Sequence, residues 1–309
     1  NKTNCNYSKP FITICNLFMF DTHCHLNFGT FDGMVDKVVC EARKVGVSQI
    51  VIPGTDVPTS KKAVKIAEEF DGIYAAVGIH PHHIYQFLIE TRSSATQIFQ
   101  KTNKTEKFSF ASDLKKIDRL MKHPRVVAVG EVGIDRHIYQ KTKYPDYKIE
   151  NEFVELQKMI LIEQIKLAHK YKKSLIFHNR EAKKDVLEIL TNHYSLIPSH
   201  SSVFHCCEPD PELLEFAKNH KMFIGIDGDI TYYKEKQNFI KTVPLEMLVL
   251  ETDSPFLMPR LLSTPRPLDR YNEPKNIPLI AEFIAQLLHC SIDSLLKQTT
   301  ENAKKLFKI

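Results

Sequence analysis

The sequence predicts a single (β/α)8 TIM barrel, and three observations carry that prediction. Short apolar runs recur along the 309 residues, each bounded by polar or turn residues, as buried strands are. Charged segments with helical periodicity lie between most of these runs, the alternation that builds a parallel sheet from βαβ units. Several runs end in His, Glu or Asp, and the C-terminal rim of a parallel barrel is where that fold carries its chemistry.

Eight runs qualify as strands. Phe18-Met19-Phe20 leads into Asp21-Thr22-His23-Cys24-His25, and Gln49-Ile50-Val51-Ile52 precedes Pro53-Gly54. Tyr74-Ala75-Ala76-Val77-Gly78-Ile79 precedes His80-Pro81-His82-His83, and Val126-Val127-Ala128-Val129-Gly130 ends at Glu131. Ser174-Leu175-Ile176-Phe177 ends at His178, and Ser202-Val203-Phe204 ends at His205. Lys221-Met222-Phe223-Ile224-Gly225-Ile226 precedes Asp227-Gly228, and Met247-Leu248-Val249-Leu250 leads into Glu251-Thr252-Asp253. None alternates cleanly, as expected of strands covered on both faces. Helices are expected over 34–45, 60–70, 149–171, 183–193, 211–220 and 234–241, with 277–288 and 292–306 closing the outer layer. The segment 91–111, rich in Thr, Ser, Lys and Asn, breaks the rhythm and reads as a polar surface loop inserted after the third strand. The barrel is therefore placed at 18–309, behind an N-terminal extension of 1–17.

Hydrophobic content of 43% and charged content of 26% describe a soluble globular chain. No apolar run approaches the ~18 residues of a membrane span, so no membrane association is expected, and a monomer is the simplest state. The net charge of +5 is compatible with a polyanionic partner without demanding one. Seven cysteines, two of them adjacent at Cys206-Cys207, suggest reduced thiols rather than a disulfide framework. The chain starts at Asn1 rather than Met, which leaves secretion open beside a cytoplasmic or nuclear location.

The strand ends together read as a metal site. His23 and His25, two apart, present both imidazoles on one face, within reach of one ion. Glu131 offers two oxygens and can bridge two ions. His178 and His205 would serve the second, while Asp253 would ligate the first or hold the attacking water. A lone His at a strand end is ordinarily a hydrogen-bonded structural residue; four His and two carboxylates at five strand ends are not so easily dismissed. The mixed donors suit Zn²⁺, Mn²⁺ or Mg²⁺. Two ions about 3.5–4 Å apart lower the pKa of a bridging water and clamp the attacking and leaving oxygens of a phosphodiester. His80, Arg180 and Arg136 are candidate phosphate contacts; the competing roles are a turn fixed by Pro81 for His80 and a salt bridge for Arg136.

At these residues the chain resembles the TatD family of metal-dependent deoxyribonucleases, within the amidohydrolase superfamily. The matching stretches are Phe20-Asp21-Thr22-His23-Cys24-His25-Leu26, Val77-Gly78-Ile79-His80-Pro81-His82, Val129-Gly130-Glu131-Val132-Gly133-Ile134-Asp135, Ile176-Phe177-His178-Asn179-Arg180-Glu181-Ala182 and Leu250-Glu251-Thr252-Asp253-Ser254-Pro255. Arg270-Tyr271-Asn272-Glu273-Pro274 and Thr300-Glu301-Asn302-Ala303 extend the likeness to nearly the whole chain. The resemblance implies a barrel with a two-metal site at His23, His25, Glu131, His178, His205 and Asp253. It also implies Mg²⁺-assisted hydrolysis of DNA, often as a 3′→5′ exonuclease; endonuclease action stays open beside it. Glu131 and Asp253 would be the catalytic carboxylates. Asn27, Arg136 and Cys206-Cys207-Glu208-Pro209 depart from the family's usual residues. Two rivals stand beside this reading: an ester or amide hydrolase such as an aminoacyl-tRNA deacylase, and a basic binding module without chemistry.

Overall fold

The computed structural model describes residues 18–98, 110–144, 146–197, 199–260 and 271–309. Eight strands form one parallel sheet in chain order: β1 (Met19–Asp21), β2 (Val47–Pro53), β3 (Ile73–Val77), β4 (Val126–Asp135), β5 (Ser174–Arg180), β6 (Ser202–Phe204), β7 (Phe223–Ile226) and β8 (Leu248–Leu250). The ends of β1 and β8 meet: Thr22 N–H donates to the Leu250 carbonyl at 3.0 Å, and Asp253 N–H to that of His23 at 2.9 Å. The result is a nearly closed TIM barrel.

The helices α1 (Val35–Lys44), α2 (Val57–Glu69), α5 (Asn151–Tyr171), α6 (Lys183–His193), α7 (Pro211–Asn219), α8 (Lys234–Ile240), α9 (Ile277–Leu287) and α10 (Ile292–Phe307) fall within a few residues of their expected places. α2 starts earlier than its apolar pattern suggests because Asp56 caps it: the carboxylate accepts from Thr59 N–H at 2.8 Å, and Pro58 sits in the first turn.

The insertion differs from expectation. α3 (Tyr85–Ile98) runs through its first residues and α4 (Phe110–Leu120) begins before its end; 99–109 lie outside the described residues, as do 1–17. Ile117 and Met121 are buried, with Phe110 and Leu114 packed beside them. These four positions repeat at helical spacing, an apolar stripe that the polar residues before it obscure.

Each strand contributes inward side chains to the barrel's interior. Phe20, Val51, Ala76, Ala128, Ile176, Val203, Phe223 and Val249 form a cluster apart from the main core, and Ala303, Leu306 and Phe307 of α10 close it from below. Their sequence neighbours Ile50, Ala75, Leu175, Phe204, Ile224 and Leu248 face the helices. Both faces are therefore apolar, which hides the period of two from the sequence. The period still governs the rim: residues two or four beyond an inward residue also point into the barrel, now at its open end. His80, His178, His205, Glu251, Asp253 and Asp227 are such positions. Among the described residues, no single helix is long and apolar enough to cross a membrane.

Candidate metal centre

Glu131 is set apart by an irregularity in β4. Val129 pairs with Leu175 and Val132 with Phe177, so β4 spends one residue more than β5 over that interval, and the bulge falls at Gly130-Glu131. Bulges re-aim side chains. Both strands run further than the apolar runs imply, placing Glu131 and His178 inside strands rather than past their ends. The pairing beyond the bulge needs Gly133, where an added Cβ would lie 1.8 Å from the His178 carbonyl oxygen.

The Glu131 carboxylate has imidazoles on two sides. Its Oε2 stands 3.4 Å from His23 Nε2 and 3.6 Å from His25 Nε2. Its Oε1 stands 2.7 Å from His178 Nδ1, 2.7 Å from His205 Nε2 and 3.3 Å from His80 Nε2. Asp253 Oδ1 completes the first side, 3.6 Å from His23 Nε2 and 3.5 Å from His25 Nε2, which are 3.1 Å from each other. Ligands about 2.0–2.2 Å from a tetrahedral cation lie about 3.3–3.6 Å apart. The spacings around Oε2 are close to that, so these donors fit an ion without rearrangement of the backbone.

Other buried carboxylates hold the rings. Asp135 Oδ2 lies 3.0 Å from His178 Nε2, leaving Nδ1 to face Glu131, and it also accepts from the Tyr139 hydroxyl at 2.7 Å. Such a carboxylate behind a ligating His fixes its tautomer and orientation. Glu251 lies 3.7 Å from His205 Nδ1 and accepts from Thr22 Oγ1 at 3.3 Å; with His23 and His205 it forms a third trio of potential ligands. Asp21 ties the end of β1 to the segment after β8, accepting from Thr252 N–H at 3.0 Å and from its hydroxyl at 2.7 Å.

Burial opposes the charge on Glu131, yet the charge of His205 and the bonds from His178 and His205 hold it well below the carboxylate range. Burial likewise opposes protonation of His178, but Asp135 and Glu131 push it up to about 10. His205, also buried, is pushed up to about 9 by Glu131 and Glu251. His23 is lowered to about 4 by burial and the neighbouring charge of His205. Burial also lowers His80, which makes it a neutral hydrogen-bonding group rather than the cation that phosphate neutralisation calls for.

A His ligand must be deprotonated, so metal binding near neutral pH should expel protons from His178 and His205. Affinity should rise with pH up to about 9–10, by as much as ~10-fold per pH unit for each proton released. Calorimetric titration of the metal-free protein in buffers of different ionisation heat reads this directly; heats independent of the buffer would contradict it. The same raised values stabilise the metal-free fold below the unfolded His pKa of ~6.5, a contribution lost as pH climbs through 9 to 10.

The structure thus brings together all six proposed ligands, and His80 with them. Arg180 lies at the mouth, its guanidinium 5.2 Å from the centroid of the Tyr139 ring. Arg136 is elsewhere: its Nε and Nη2 grip Asp185 at 2.6 and 3.1 Å, the salt-bridge alternative rather than a phosphate contact. Asn27, one of the departures, is buried and donates from Nδ2 to the Pro53 and Thr59 carbonyls at 2.9 and 3.0 Å, bonds an Asp could not donate. Glu208 accepts from Asn179 Nδ2 at 2.8 Å and from Glu181 N–H at 3.0 Å. Tyr144, Tyr147 and Phe153 are buried packing residues. Cys24, Cys206, Cys207 and Cys290 are free thiols.

Barrel and donor set define a hydrolase of the metal-dependent kind, and the comparisons agree. The family model for TatD related DNase matches residues 20–308. An uncharacterized metal-dependent hydrolase of Bacillus subtilis, YabD, is 32% identical over 94% of this chain and 99% of its own length. A protein of Edwardsiella piscicida named 3′-5′ ssDNA/RNA exonuclease TatD is 30% identical over 94% of this chain and all of its own. Among solved structures, the TatD homologue YJJV of Escherichia coli superposes with a TM-score of 0.76 at 25% identity, covering 96% of this chain and all of that one. The chain belongs to the TatD family of metal-dependent hydrolases.

Proposed function

We propose that the protein is a metal-dependent deoxyribonuclease that hydrolyses phosphodiesters with two divalent ions, removing nucleotides from the 3′ end. The observation that carries this reading is the Glu131 carboxylate, whose two oxygens face two separate sets of imidazoles. Relatives named as exonucleases supply the substrate class.

His23, His25, Glu131 and Asp253 would hold one ion; Glu131, His178 and His205 would hold the other. When bound, the ions supply positive charge that polarises the phosphodiester and acidifies water; Mg²⁺ is the proposed activator, with Zn²⁺ or Mn²⁺ also suited to these donors. The chain's own groups do the rest. Asp135 keeps His178 turned toward Glu131. Asp253 stands at φ 49°, a left-handed conformation that Asp tolerates better than most residues. Its carboxylate lines the pocket and would orient the attacking water or take its proton. Arg180 would pair with a phosphate, and His80 would donate a hydrogen bond to one.

The test is cleavage of end-labelled linear DNA and of a circle, in EDTA, Mg²⁺, Mn²⁺ and Zn²⁺, with wild type beside His178→Ala. Metal-dependent loss of the linear strand that disappears in the variant is the expected result; nicking of the circle would add endonuclease action. No cleavage with any metal, together with turnover of an aminoacyl ester, would overturn it. In the same assay Arg180→Ala should lose about 10- to 150-fold in kcat/KM, the worth of a charge-assisted bond to phosphate, whereas Arg136→Ala should retain full activity.

A further inference from the structure

Among the described residues, Phe18, Ile138, Met159, Tyr233, Phe256 and Ile309 are the large apolar side chains left exposed. Two of them, Phe256 at 51% and Tyr233 at 56% exposure, line the cavity of about 690 Å³ that opens above the metal centre. That size suits a ligand of nucleotide dimensions. Phe256 does not stand alone. Phe28 stacks on the His25 ring at 4.3 Å between centroids and 17° between planes, and Phe256 meets Phe28 edge-on at 6.1 Å. The Phe256 N–H donates to the Asp253 carbonyl at 2.8 Å, so the ring is held three residues from a proposed metal ligand. Arg180 lines the same cavity, lies over Tyr139 and makes no ion pair with a carboxylate among the described residues.

We propose that Phe256, braced by Phe28, is the stacking platform for the terminal base of a single strand, seating it while its phosphate lies over the metal centre. A flat apolar face next to a site for an anion, with a guanidinium in the same cavity, is the combination that single-strand binders use. A terminal base in a duplex is held by its partner and stacked on its one neighbour, and must leave both to lie on the platform, so the platform favours an unpaired end. This deepens the nuclease reading and rests on it.

The experiment compares wild type, Phe256→Ala, Phe256→Leu and Phe256→Tyr on two oligonucleotides, one natural and one abasic at its terminal residue. A third oligonucleotide carries terminal 2-aminopurine, whose fluorescence is quenched on stacking. On the natural strand Phe256→Ala should lose about 5- to 150-fold in kcat/KM; Phe256→Tyr should recover it and Phe256→Leu should not. On the abasic strand wild type and Phe256→Ala should cut equally, and binding should quench 2-aminopurine in wild type but not in Phe256→Ala. An equal penalty on both strands, or cleavage without quenching in wild type, overturns the platform and leaves the nuclease reading standing. Neither cleavage nor quenching by wild type overturns both.

Discussion

Glu131→Gln should abolish hydrolysis and metal binding together, while leaving a folded barrel. Glutamine keeps the shape of the side chain and removes the charge that five imidazoles face at 2.7–3.6 Å. The neutral amide cannot serve two cations, and its nitrogen would point at one of the two sets of rings. The charge stabilisation that bound metal gives a phosphodiester is worth several kcal/mol, so a fall of about 10³ or more in kcat/KM is expected. A second consequence separates this from a simple active-site lesion. With the carboxylate gone, the main cause that raises His205, and one of those that raise His178, is gone too. Both rings should then titrate lower in the metal-free variant, which ¹H–¹⁵N spectra of the imidazoles can follow. Retained metal content with retained activity would mean that the ions, if any, sit elsewhere.

The barrel is legible in the sequence because each strand is an apolar run and each run stops at a polar or turn residue. The six proposed ligands are legible for the same reason: His and carboxylates at strand ends have few other uses when several occur in order. What stays hidden depends on contacts between distant strands or on the parity of side chains. Asp135 and Asp21 stand in local motifs, but their roles are set by what crosses to them, His178 on β5 and Thr252 beyond β8, and no local pattern shows those partners. The bulge that aims Glu131 is visible only against the register of β5. Glu251 and Asp227 are within reach: counting two from the inward Val249, and four from the inward Phe223, lands on them. That count needs the inward residue to be known, and two apolar faces conceal it. α4 escapes notice because its stripe of Phe110, Leu114, Ile117 and Met121 comes directly after polar residues that read as loop. For Arg136 the ambiguity is real, since a bidentate guanidinium serves a phosphate or a carboxylate alike, and only the position of Asp185 decides.

Lys236→Met should destabilise the fold by about 3–5 kcal/mol, the usual cost of removing one partner from a buried ion cluster. Lys236 on α8 is buried, with Nζ 2.6 Å from Asp229 Oδ1, 3.2 Å from Asp227 Oδ2 and 3.7 Å from Cys206 Sγ. Asp227 also accepts from the Asp229 N–H at 2.8 Å, so the two acids share one turn and one cation. Burial and the charge of Asp227 already push Asp229 above the usual carboxylate range with the lysine in place. Without the ammonium, Asp229 should rise further and Asp227 should leave the low range that Lys236 helps to hold. The loss should therefore depend on pH with a definite sign. At pH 5 the variant can protonate its stranded carboxylates, which relieves part of the penalty; at pH 8 ionising them in the buried turn is costly in full. Urea unfolding should show a larger loss at pH 8 than at pH 5. Adding Asp227→Asn and Asp229→Asn should recover most of the stability, because apolar or neutral replacement of a whole buried cluster is often close to neutral. A loss independent of pH would mean that the aliphatic stem of Lys236, rather than its charge, is what α8 requires. The cluster lies beside the open end of the barrel, and Lys236 and Asp229 line the same cavity as the proposed metal ligands. Activity of the triple variant, measured where it is fully folded, then tells whether this second charged group serves only the fold.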